Sequence, residues 1–183
     1  MIVLVIDTAL GACTAAVFDG ERSLAVRSEP MTKGHSERLG GFVRDAMAEA
    51  AIGFDAVERI GVTVGPGSFT GLRVGLAFAL GLGEALNRPV VGVSALDALA
   101  ASTAEDGPVA ALIDARRDQV YARLFRDGAA EVEPLPAPSS AALARLTLAS
   151  DPEAHPPRPL YLRAPDATAP TRLPGQPRQA AVK

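Results

Sequence analysis

Apolar and polar positions alternate along the first hundred residues in two rhythms, and the change from one to the other predicts the elements. Ile2 to Ile6 is a continuous apolar run, read as a strand buried on both faces, with Asp7 to Ala12 as a turn. Cys13 to Phe18 and Ser23 to Glu29 read as two further strands, joined by a hairpin at Asp19-Gly20. From His35 the period lengthens. Leu39, Phe42, Val43, Ala46, Met47 and Ala50 fall at spacings of three and four on one face of a helix, with Ser36 as its N-cap and Gly53 as its close. Asp55 to Arg59 is expected as a short helix capped by Asp55, Ile60 to Val64 as a strand, and Val90 to Val93 as another. Ser94 then caps a helix to about Glu105.

Between the strands at Ile60 and Val90 lies the stretch on which the chain turns, VTVGPGSFTGLRVGLAFALGLG, Val62 to Gly83. It reads as strand, glycine loop and helix, with Ser68 or Thr70 as N-cap and no charge between Arg73 and Glu84. A glycine loop at a helix N-terminus invites comparison with phosphate cradles. A nucleoside-triphosphatase P-loop requires Gly-Lys-Ser/Thr, and Thr70-Gly71-Leu72-Arg73 supplies no such lysine. Gly71, Gly75, Ala79 and Gly83 recur every fourth residue, a ridge of small side chains that costs helix stability and predicts close approach of another backbone.

The strands and helices alternate, which gives an α/β class. Asp106-Gly107-Pro108 is the expected boundary: residues 1–106 form one subdomain and 107–150 a shortened second one, with strands at Val109 to Ile113 and Val120 to Phe125 and a helix at Ser140 to Leu148. Glu131 to Pro138 is extended and proline-broken, and residues 151–183 read as a proline-rich tail.

Composition narrows the function. With 183 residues, 48% apolar, and a formal charge of −3, the chain can bury a core and shows no electrostatic footprint of a nucleic-acid binder. The six-residue apolar start, Met1 to Ile6, reads as a strand rather than a signal peptide, and the run Val74 to Gly83 is about half a bilayer span, so a cytoplasmic protein without membrane contact is expected. The single cysteine, Cys13, excludes an internal disulfide and reads as a buried small hydrophobe. The two histidines, His35 and His155, stand in unrelated contexts, and Leu39 occupies the position one turn after His35 where a second metal ligand would stand. No catalytic residue and no metal site are therefore assigned. Asp7, Thr8, Gly65, Gly67, Ser68, Thr70 and Asp114 remain as phosphate-facing or structural loop candidates.

The start ValIleAspThrAla, HSERL at His35 to Leu39, GPGSFTGLRVGL at Gly65 to Leu76, VVGVSALDALA, IDARRDQVYARLF at Ile113 to Phe125 and PLYLR at Pro159 to Arg163 together resemble the TsaB family, the M22 glycoprotease-like proteins. The resemblance implies an actin-like fold of two subdomains, as in sugar kinases and Hsp70, here with the second abbreviated after Phe125. It implies a non-catalytic partner of a TsaD-like paralogue, joined by a TsaE-like ATPase, in forming N6-threonylcarbamoyladenosine in tRNA. No cofactor is expected for the isolated chain; ATP and a divalent metal belong to the assembled complex, and tRNA is reached only through it. The partner interface is expected on His35, Leu39, Phe42, Val43, Ala46 and Met47 of one helix and on Gly71, Leu72, Gly75, Leu76, Ala79 and Gly83 of the next, the same surface forming a homodimer when the chain is alone. Two other readings stand beside it: a nucleotide-hydrolysing or peptidase-like enzyme using Asp7 with Asp114, and a homodimeric structural module.

Overall fold

The structure is a computed structural model that describes residues 1–103, 108–116, 119–125 and 137–161. Strands β1 (Ile2–Asp7), β2 (Ala12–Asp19) and β3 (Arg22–Pro30) form an antiparallel meander, and β4 (Arg59–Gly65) and β5 (Val90–Ser94) run parallel to β1. The sheet order is β3-β2-β1-β4-β5, with Val5 opposite Ala16 and Leu4 opposite Ile60. Gly20, at φ 58, makes the turn between β2 and β3 in a conformation costly for other residues.

Period-two alternation divides the strands between two cores. Leu4, Ile6, Cys13, Ala15, Val17, Ile60 and Val62 face helices α1 (His35–Glu49) and α2 (Phe69–Leu86). Val3, Val5, Ala16, Phe18, Val91 and Val93 face α3 (Ala95–Ala100) and α4 (Ser140–Ala149). Both faces are covered, which is why these strands read as unbroken apolar runs. Each fully buried Leu or Ile contributes about 1.5 to 3 kcal/mol.

Three helices start on hydroxyl caps, those of α2 and α3 among the expected ones. Ser68 Oγ accepts from the Gly71 amide at 3.3 Å, Ser94 Oγ from Asp97 at 3.4 Å and Ser139 Oγ from Ala142 at 3.1 Å. Helix α1 differs. Its N-cap is Gly34, at φ 86 and without a side-chain bond, because Ser36 already lies inside the first turn, where its hydroxyl donates to Glu37 at 3.0 Å. Its end also corrects the expectation. The left-handed residue is Ala51, at φ 54, with Ile52 N–H donating to Met47 and Ala51 N–H to Ala48, a Schellman closure, and Gly53 instead precedes a 3-10 turn at Phe54–Ala56 that contains Asp55. Helix α3 stops at Ala100 rather than near Glu105.

Strands β6 (Val109–Arg116) and β7 (Gln119–Phe125) form a separate antiparallel ribbon, with Ile113 opposite Tyr121. Val109, Ala111 and Ile113 are buried, the latter two against α3. The expected division of the chain is corrected in one respect. Helix α4, assigned to the second subdomain, packs on β1, β4 and β5 of the first, because Gly61 leaves room for Thr147 and Arg59 Nη1 donates to the carbonyls of Thr147, Leu148 and Ser150 at 2.9, 3.2 and 2.9 Å. Residues 151–161 also lie along this sheet: Gly92 N–H donates to His155 and Leu160 N–H to Val64, at 2.8 and 2.7 Å. The expected boundary residues Asp106 and Gly107, the segment 131–136 and the tail from Leu162 lie outside the described residues.

Candidate functional site

The glycine loop between β4 and α2 is tightly packed from both sides. A Cβ on Gly67 would collide with the Ala9 carbonyl, and one on Gly65, at φ 112, would stand 3.0 Å from the Leu160 carbonyl. Ser68 N–H donates to that same Ala9 carbonyl at 2.7 Å. These glycines therefore serve close approach of the β1 turn and of residue 160, and the loop amide of Ser68 is already satisfied. Thr8 ties the turn to α2, its hydroxyl donating to the Gly71 carbonyl at 2.7 Å.

Asp7 ends β1 with no exposed surface. Its Oδ1 accepts from Ala9 N–H at 2.9 Å and from the Thr63 hydroxyl at 2.6 Å, while Oδ2 has no partner. Burial pushes this carboxyl above its ordinary range, opposed by the bonds from Thr63, Ala9 and Thr8 and by the charge of His35. His35, 5% exposed, carries a second buried atom without a partner, Nε2. Cys13 is buried on β2, and desolvation together with the Asp7 charge pushes its thiol up to about 11, which argues against a nucleophile. Asp114 stands exposed on the ribbon opposite Val120.

The expected interface residues are corrected by their burial. Of those on α1 and α2, only Phe42 is not buried. The small-residue ridge faces the sheet: a Cβ on Gly71 would collide with the Thr8 carbonyl, one on Gly75 with the Thr8 hydroxyl, and one on Gly83 with Val90. The close-approaching backbone that the ridge implied is the chain's own β1 turn.

The surface left over is on the opposite side of α2. Only a third of this 18-residue helix is buried, although its mean hydropathy of 1.3 makes it long and apolar enough, by length and composition, to cross a membrane. Arg73 and Ala77 are exposed there and Val74 and Phe78 half-buried, with Phe78 3.6 Å from the position of a Gly40 Cβ on α1. At the start of α2, Arg73 stacks on Phe69 at 3.8 Å and donates to Tyr161 Oη at 3.3 Å. Sequence reasoning missed this face by following the ridge. The apolarity of α2 nearly all round is the signal for it, since Val74, Ala77, Phe78 and Leu80 stand outside the buried ridge.

One more feature lies beside the loop. A cavity of about 290 Å³ opens between the first turns of α1 and α2, lined by Lys33, His35, Ser36, Ser68, Thr70 and Gly71 among others. Lys33, from the segment before α1, is the lysine of this lining.

A family profile described as TsaD, tRNA N6-adenosine threonylcarbamoyltransferase, matches residues 26–167. An uncharacterized protein of Mycobacterium bovis is 38% identical over 200 residues, covering 90% of this chain and 93% of its own length. The tRNA threonylcarbamoyladenosine biosynthesis protein TsaB of Escherichia coli is 33% identical over 124 residues, covering 66% of this chain and 53% of the relative. TsaB of Bacillus subtilis is 33% identical over 69% of this chain and 56% of its own length, so the chain spans about half the length of these curated TsaB relatives. Among solved structures, YeaZ from Pseudomonas aeruginosa superimposes with a TM-score of 0.72 at 28% identity, over 88% of this chain and 99% of that one. The meander, the parallel strands beside it and the covering helices are the α/β, actin-like arrangement expected from the sequence. The profile match across most of the residues, the TsaB relatives and the YeaZ superposition agree: the chain belongs to the TsaB/YeaZ family.

Proposed function

We propose that this chain is a cytoplasmic, non-catalytic scaffold subunit of the complex that forms N6-threonylcarbamoyladenosine in tRNA, docking a TsaD-like partner on the outward face of α1 and α2. The observation that carries the docking surface is the mismatch within α2: an 18-residue apolar helix of which a third is buried by its own chain. Its inner ridge is occupied by β1 and β5, so Val74, Ala77, Phe78 and Gly81, with Gly40 of α1, are left as the apolar strip for another protein. Glycines at 40 and 81 allow a partner helix to approach closely. The names of the TsaB relatives support the pathway. In this reading ATP and a divalent metal act in the assembled complex with a TsaE-like ATPase, tRNA is reached only through that complex, and the same strip pairs two copies when no partner is present.

The test is size-exclusion chromatography with light scattering of the chain mixed with the TsaD-like paralogue of the same genome. Phe78→Arg sets a charge in the middle of the strip, where a partner would desolvate it; because the half-buried ring also packs against the core, the fold of the free variant is measured alongside. We expect association weakened by at least about 100-fold, a loss of roughly 3 kcal/mol, with the far-ultraviolet circular dichroism unchanged. Wild-type association by folded Phe78→Arg would overturn the assignment. Measurable ATP hydrolysis by the isolated chain, lost in Asp7→Ala, would favour the enzymatic reading instead.

A further inference from the structure

We propose that the outward face of α2 is a docking surface for the chain's own residues 162–183, which lie over it in the isolated chain and are displaced when a partner or a second copy packs there, an inference that rests on the scaffold reading. Four observations converge on it. The face is broad: Thr70, Arg73, Ala77, Leu80, Gly81 and Glu84 are exposed, and the described chain buries a third of an apolar 18-residue helix. Apolar surface of this kind is seldom left open to water. The last described residue is fastened at its border. Residues 151–161 run beside α2 in the opposite direction, Pro157 standing with Leu80 and Gly83 near its end and Tyr161 at its start, where the ring lies 5.4 Å from Phe69 and Oη accepts from Arg73 Nε at 3.3 Å.

From that anchor the sequence continues for twenty-two residues. The stretch of α2 from Arg73 to Glu84 is about 16 Å long at a helical rise of about 1.5 Å per residue. A proline-rich chain at about 3.1 Å per residue spans it in about five or six residues. The composition suits a shallow face: Pro165, Pro170, Pro174 and Pro177 lower the entropy lost on ordering, while Leu162 and Leu173 supply apolar contact but cannot form a core of their own. Charge favours the same seat. Residues 162–183 hold four basic side chains, Arg163, Arg172, Arg178 and Lys183, against Asp166, a formal charge of +3, whereas residues 1–161 hold fourteen basic against twenty acidic, −6. Glu37 in the first turn of α1 and Glu84 towards the end of α2 flank the face, and among the described residues neither is ion-paired. Of the basic groups nearby, Arg38 and Arg44 are paired with Glu29 and Asp45 and Arg73 is stacked on Phe69, while Lys33, exposed before α1, opposes the tail. Arg163, two residues past Tyr161, has the reach for Glu37, and Arg172 for Glu84. Exposed ion pairs and a shallow contact make a weak cover, so it lowers the apparent affinity for a partner by the fraction of chains whose face is open.

The experiment is paramagnetic broadening in the isolated full chain, enriched in nitrogen-15 and spin-labelled at Thr171→Cys; Cys13 is buried and stays unlabelled. We expect amide signal to be lost at Ala77, Gly81 and Glu84 and across at Gly40, and to return when Arg163→Glu and Arg172→Glu are introduced together. Absence of broadening, broadening spread evenly over the surface, or broadening centred on the β6–β7 ribbon overturns the assignment. So does broadening in a mixture of spin-labelled unenriched chain with unlabelled enriched chain, which would identify a second copy as the occupant. Light scattering with the TsaD-like paralogue then reads the displacement: the double charge reversal, placed outside the docking strip, should tighten association by about two- to fivefold, the worth of one or two exposed ion pairs. The two readings fail separately. Broadening on α2 without any association refutes the scaffold's docking face and keeps the tail contact, whereas association without broadening refutes the tail contact alone.

Discussion

The five-stranded sheet and the β6–β7 ribbon are built from equally apolar strands, yet they end in different situations. The sheet is covered on both faces, α1 and α2 on one side and α3 and α4 on the other, and its central residues have no exposure. Among the described residues the ribbon is covered on one face. Val109, Ala111 and Ile113 point inward, while Leu112, Val120 and Leu124 are 45%, 62% and 76% exposed. Burial rather than composition decides what a residue contributes, so the same substitution should be costly in one unit and cheap in the other.

The largest effect is expected where the sheet and α2 meet. Gly75→Arg would drive a Cβ into the Thr8 hydroxyl and close to Val62, and would place a charge between α2 and β1. Thr8 follows β1 and Val62 lies on β4, both buried, and neither can swing aside as a surface side chain would. Unfolding at room temperature is the expected outcome, a loss of about 3 to 5 kcal/mol against a typical domain stability of 5 to 15. Thermal melting followed by circular dichroism measures it, and a wild-type melting curve would mean the ridge does not face the sheet.

A smaller effect belongs to Asp7, buried at the end of β1. Its folded-state affinity for a proton is raised by burial, so the folded chain binds more protons than the unfolded chain between the ordinary carboxyl pKa of 3.8 and the raised value. Stability therefore falls as pH rises through that window, by at most about 1.4 kcal/mol per pH unit for one group. Asp7→Asn keeps an oxygen for Thr63 and Ala9 and removes the titration. Urea unfolding across the acid-to-neutral range should show the variant with a flatter profile and greater relative stability at neutral pH. A steeper fall in the variant would show that the charged form is the stabilised one.

The sheet was legible because period-two apolar runs and hydroxyl caps are local signals; every strand from β1 to β5 and the cap Ser94 could be placed from the chain alone, and Ser68 was one of two candidates with Thr70. What could not be read was which side of an all-apolar helix faces home. Small residues on α2 mark close approach, but sequence spacing does not say whether the approaching backbone is Thr8 of the same chain or a partner's. The destination of α4 was hidden for a similar reason: its ten residues carry a weak amphipathic pattern, and its contact with Gly61 and Arg59 spans more than eighty positions. The left-handed Ala51 was passed over for Gly53, since glycine is the usual residue there.

The smallest effect sharpens the contrast between the two units. Leu124→Ser removes an apolar side chain that is 76% exposed, and its strand neighbour across the ribbon is Ala110. Little apolar surface returns to water, so the change in stability should stay within about 0.5 kcal/mol, and it should reduce binding of a hydrophobic dye. Ile113→Ala, on the inner face against α3, is the matched control and should cost about 2 to 5 kcal/mol. Equilibrium urea unfolding of the two variants gives the comparison directly. If Leu124→Ser costs as much as Ile113→Ala, the outer face of the ribbon is covered in solution, and the covering element can be sought by asking whether the loss depends on protein concentration. A concentration-dependent loss would identify a second copy of the chain; a concentration-independent one would identify a segment of the same chain.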